Sequence, residues 1–142
     1  MTGAGPEPRP DSRPLADAPV VRAPDGSLVR QLGELPAVVS MARFELAPGE
    51  VAAAVSHRTV RELWHVLSGS GQLWRRQDGV EQLTPLRPGL TASIPLGTAF
   101  QFRADADAGE PLVVLGATVP AWPGPAEARP EQGPWEPTVD LG

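Results

Sequence analysis

The chain contains no cysteine and no tyrosine, and its 142 residues include no lysine and no asparagine. Without cysteine there is no disulfide framework, no thiol nucleophile and no Cys-based zinc site. Without lysine and tyrosine, Schiff-base chemistry on Lys and a Tyr general acid are both excluded. Two histidines, His57 and His65, are too few for a metal centre built on three. Isoleucine occurs once, at Ile94, and all 12 basic residues are arginine. Residues with AT-rich codons are scarce beside Ala, Gly, Pro and Arg, which points to a high-GC bacterial genome. No run of about 18 apolar residues exists, and residues 1–20 lack an apolar stretch behind a basic start. A soluble, cytoplasmic protein with no membrane partner is expected. The net charge of −5 and pI near 5.0 offer no basic face to a phosphate backbone, so nucleic acid is not an expected partner.

Gly 15 and Pro 18 exceed average usage of roughly 7% and roughly 5%, and 41% of residues are hydrophobic. That combination predicts short strands joined by many turns around a real core. Residues 1–18 carry several prolines, mixed charge and almost no large apolar groups, and read as a flexible tail. From 19 to 121, short apolar or alternating stretches recur at 27–32, 37–46, 51–56, 62–67, 71–76, 80–85, 90–94, 99–103 and 112–119. Asp25-Gly26 and Asp78-Gly79 are hairpin signals, and Pro48-Gly49, Pro88-Gly89 and Leu96-Gly97 mark further turns. No stretch holds a 3.6-residue apolar period for long, so the expectation is an all-β antiparallel sandwich or barrel of about nine strands. Residues 122–142 are Pro-rich again but carry Trp122 and Trp135, which predicts an arm packed on the barrel or on a partner subunit.

Two segments stand out together. In the first, Gly49, His57, Glu62 and Gly69 are spaced with Val55 two residues before His57; in the second, Gly89, Pro95 and Gly97 precede Phe100 and Ala104. Order and spacing resemble the two motifs of the cupin superfamily over about 37–119, and Ser68-Gly69-Ser70-Gly71 resembles the turn closing the first motif. The resemblance implies a double-stranded β-helix, the antiparallel jelly-roll barrel, and a homodimer. It also implies a metal site, but Val55 and Phe100 stand where the family has histidines, and Ala104 where it has asparagine. Two of four ligands remain, His57 and Glu62. They make at most a weak site for a divalent transition metal such as Zn, Fe, Mn or Ni, and a dioxygenase on the usual ligand set is not expected.

Side chains alternate along a strand, so Glu62 and Trp64 share a face while His65 turns away, toward an outer surface or interface. If the resemblance holds in space, His57 and Glu62 meet inside an apolar barrel. There, burial and mutual contact tune them as general acid and base for a lyase or isomerase acting on a small organic metabolite, in biosynthesis of a specialised kind. The competing readings are a buried pair that only holds strand register, a metal-dependent enzyme with an incomplete ligand set, and a non-catalytic binding protein. Trp64 is a candidate flat wall, Phe100 a drying group that raises Glu62, and Arg43 an anchor for a ligand carboxylate or half of an outer-face pair with Glu45. Gln72 and Gln101 are further candidates for the cavity, the latter as a carbonyl donor if a bulge shifts its strand. Arg75-Arg76 reads as part of a solvent-exposed hairpin.

Overall fold

The computed structural model describes residues 7–138. Eleven strands follow in chain order: β1 (Val20–Arg22), β2 (Leu28–Leu35), β3 (Val39–Leu46), β4 (Val55–His57), β5 (Arg61–Ser68), β6 (Gly71–Gln77), β7 (Val80–Leu86), β8 (Thr91–Ile94), β9 (Ala99–Ala104), β10 (Leu112–Val119) and β11 (Ala128–Pro130). Two single turns of 3-10 helix, Leu15–Asp17 and Pro125–Glu127, are the only helical pieces among the described residues. All strand pairs are antiparallel. They form one sheet ordered β1-β2-β3-β10-β5-β8 and another ordered β11-β4-β9-β6-β7. This is the expected jelly roll.

Local chemistry explains most boundaries. Asp78 (φ 51°) and Gly79 (φ 77°) both sit in the left-handed region, giving the two-residue turn whose twist suits the β6–β7 hairpin. β5 alternates without a break, with Glu62, Trp64 and Val66 buried and Leu63 and His65 outside. The inward residues of both sheets meet in one core built around Trp64, which is 2% exposed. Its indole lies 5.6, 5.7 and 5.0 Å from the rings of Phe44, Phe100 and Phe102, in tilted or edge-to-face contact. Each such pair contributes on the order of 1 kcal/mol beyond area burial.

Two short strands were not expected. β1 and β11 are three residues each and come from segments whose composition signals no strand. The tail is ordered before residue 19: Leu15–Asp17 makes its turn, Ala18 is buried, and the Arg13 guanidinium donates to the Gln31 carbonyl. Its first six residues lie outside the described residues, as do 139–142 of the arm. The rest of the arm packs on its own barrel, adding β11 beside β4.

Gly69 shows why the closing turn of the first motif needs glycine. It takes φ 77°, and a Cβ there would collide with the backbone of Pro111 and Leu112. Gly69→Ala is expected to destabilise the barrel by about 1–3 kcal/mol, read by urea denaturation. A variant within a few tenths of a kcal/mol of the parent would contradict this packing.

Candidate functional site

β4 ends at His57 and β5 begins at Arg61, so a short turn brings His57 and Glu62 together at one end of the barrel. His57 Nδ1 lies 3.0 Å from Glu62 Oε2, with both side chains almost wholly buried. The two atoms touch out of line, leaving Nδ1 without a hydrogen-bond partner. Glu62 Oε1 accepts a 3.0 Å hydrogen bond from the Trp64 indole N–H, two residues along the same inward face. Phe100 and Trp122 close on the imidazole edge-to-face, at 5.3 and 5.2 Å. Thr118 lies opposite Glu62 on β10, and its hydroxyl bonds that of Ser40 on β3.

The surroundings set the charge states. Burial pushes the Glu62 carboxyl up to about 8, against the Trp64 hydrogen bond, with a further upward push from Asp25. Burial pushes His57 down to about 4, opposed by the charge of Glu127. Near pH 7 the pair is therefore a protonated acid beside an unprotonated imidazole. Because the contact is misaligned, neither group rescues the charged form of the other. Asp25 is itself held above its usual range by burial, although the Ser27 N–H and hydroxyl both donate to it.

Of the other sequence candidates, Trp64 and Phe100 are inside, as walls of the site. Arg43, Gln72 and Gln101 are not. Arg43 pairs across to Leu115 while its neighbours Ala42 and Phe44 lie opposite Gly116 and Val114, which puts it on the outer face with the Nε buried and unpartnered. Gln101 alternates with the core residues Phe100 and Phe102, so no bulge turns it inward. Its amide donates to the Ala52 and Trp135 carbonyls instead. Gln72 faces the same outer side, where it accepts from Arg103 beneath Trp135. His65 is on the outer surface, bonded to Thr91. Arg75 corrects the hairpin reading in the other direction: it follows the fully buried Leu73 on the inward face of β6.

The arm supplies groups the sequence did not assign to the site. Trp122 covers His57, and its backbone N–H donates to Ser40 Oγ. Glu127, 4% exposed, accepts from the Thr59 and Val60 N–H groups and fixes the turn between β4 and β5. Trp135 packs near Ala54, Trp74 and Ala99.

The donor set fits a divalent metal poorly. A catalytic zinc keeps three protein ligands, and no group of three His, Cys, Asp or Glu is assembled among the described residues. One of the two donors present is a carboxyl that burial keeps protonated.

Charge states so displaced couple to stability. Between its ordinary 4.5 and about 8, Glu62 ionises only in the unfolded chain, so stability falls as pH rises. Between about 4 and 6.5, only the unfolded chain protonates His57, so stability rises with pH there. The slopes oppose each other below pH 6.5, and above it His57 drops out, leaving Glu62 with the raised Asp25 carboxyl acting in the same direction. Thermal melts should show the Tm of the parent falling from pH 6.5 to about 8, and that of Glu62→Gln falling less steeply. An equal slope in both proteins would remove the buried-acid assignment.

No protein-family model and no curated protein sequence matches the chain. Solved structures do. Pac13 from Streptomyces, described as a unique nucleoside dehydratase, superposes with a TM-score of 0.68 at 11% identity, over 93% of this chain and 95% of that one. KdgF from Halomonas sp. gives 0.65 at 14% identity, over 80% and 96%. Oxalate decarboxylase from Bacillus subtilis gives 0.70 at 16% identity, over 87% of this chain and 33% of that larger one. With its two antiparallel sheets and its likeness to these structures, the chain is a cupin-fold protein.

Proposed function

We propose that the chain is a small-molecule enzyme of lyase or isomerase type, in which Glu62 and His57 move protons to and from one substrate. The observation that carries this reading is the 3.0 Å contact of an imidazole and a carboxyl, both buried behind aromatic rings. A pair displaced in opposite directions has its roles assigned at neutral pH: His57 is the base and Glu62 the acid. For water elimination beside a carbonyl, the imidazole takes the proton from carbon and the C–O bond breaks. The departing hydroxyl takes the Glu62 proton and leaves as water. The imidazolium then returns its proton to the carboxylate across the 3.0 Å gap, restoring both groups. The dehydratase activity in the description of Pac13 supports this class of reaction on this fold.

His57 and Glu62 are each 7% exposed. Substrate access therefore requires movement, and Trp122 is the half-buried group whose displacement uncovers the imidazole. The closed site also supports a second reading, a binding protein that releases its ligand unchanged.

A panel of small hydroxy-carbonyl metabolites and nucleosides, followed by mass spectrometry for loss of water or isomerisation, tests both. Turnover is expected, with kcat/KM rising above pH about 4 and falling above about 8. Glu62→Gln and His57→Ala should each lose roughly 10²–10⁴-fold. Folded variants that keep full activity would overturn the acid–base assignment, and a ligand recovered unchanged from the parent would favour the binding reading.

A further inference from the structure

Between the edge strands β7 and β8 lies a cavity of about 180 Å³ whose polar lining is Arg75, Gln77, Gln82, Ser93 and Thr98. Arg75 is half-buried and fixed at both ends of its fork. Its Nη1 donates to the Ser93 carbonyl at 3.0 Å and its Nη2 to Thr84 Oγ1 at 2.8 Å. A guanidinium carries five N–H donors, so three remain, Nε–H among them.

Among the described residues no carboxylate pairs with this cation: the ion pairs join Arg30 to Glu45 and Arg76 to Glu131. Arg75 Nε and Thr98 Oγ1 are both buried polar atoms without a hydrogen-bond partner. Folded proteins rarely leave such groups unpaired, and two of them at one polar cavity point to a ligand that completes them.

We infer that this cavity is a recognition subsite for a small monocarboxylate, or for the monocarboxylate end of a larger substrate, with Arg75 as its anchor. A planar carboxylate matches the guanidinium fork. Charge counting favours it over a phosphate: Arg75 is the one cationic side chain lining the cavity, the chain has no lysine, and its net charge is already −5. A dianion there would be half compensated. The cavity volume of about 180 Å³ leaves room for a small carboxylate.

Strand register places the subsite beside the acid–base pair. Ser93 and Pro95 flank Ile94, the residue opposite Glu62. Arg75 lies opposite Phe100, whose ring touches His57. The pair itself is not part of the cavity lining, so carboxylate binding at Arg75 does not rest on the acid–base reading.

The test is an NMR titration of the isotope-labelled chain with sodium propionate, sodium pyruvate and sodium phosphate at constant ionic strength. Saturable shifts are expected at the amides of Arg75, Ser93 and Thr98, at lower concentration with the carboxylates than with phosphate. Gln82 is exposed and directly opposite Arg75. Gln82→Glu therefore supplies a competing carboxylate without disturbing the core, and should weaken binding about tenfold or more. Arg75→Gln should do the same. Glu62→Gln should leave carboxylate affinity unchanged while abolishing turnover, so the two readings fail separately. Absence of saturable carboxylate shifts, parental affinity in both Gln82→Glu and Arg75→Gln, or saturation by phosphate first would each overturn the assignment.

Discussion

Placing Glu62 among Trp64, Phe100 and their neighbours costs desolvation free energy unless the carboxyl keeps its proton. His57 stays neutral as well, because burial outweighs the upward pull of the Glu127 charge. The aromatic wall is what makes this arrangement consistent. Phe100 occupies a position where a polar donor would stabilise the ionised carboxylate, and its ring instead supplies an edge to His57 and to Trp64. The indole N–H of Trp64 is the one hydrogen bond the carboxyl accepts. The dry interior and the two displaced titrations are thus one arrangement seen from two sides.

The arm completes that dry interior from outside. Trp122 covers the imidazole, Glu127 anchors the turn that carries His57 and Glu62, and Gln101 clamps the backbone at Trp135. Gly133 lies against that clamp so closely that a Cβ would strike the Gln101 amide. Residues remote in sequence therefore hold the site at one end of the barrel. The strap covers part of the outer face of the five-stranded sheet, where Gln72, Gln101 and Arg103 lie.

Much of this was legible in the sequence, and the reasons differ by element. Alternation and turn chemistry reveal β5, β6 and β10 nearly to the residue, because period-two burial and Asp-Gly turns are local signals. The meeting of His57 and Glu62 was legible only through the spacing of two motifs. β1 and β11 were not visible, since three-residue strands take their stability from the neighbour they pair with. Faces were harder than elements. Gln101 looked like an inward donor only if a bulge intervened, and none does; Arg75 looked solvent-bound because its charge outweighs, in any composition argument, the strand parity that points it inward. Trp122 over His57 joins residues far apart in sequence, which no local pattern encodes.

β11 has one more effect, on how copies of the molecule can meet. It forms one border of the five-stranded sheet, and its last residue is Pro130; the opposite border, β7, carries Pro85. Proline offers no amide hydrogen to an incoming strand, and Arg129 adds a charge at the first border. Each proline withholds one donor from a strand that would continue the ladder at its border.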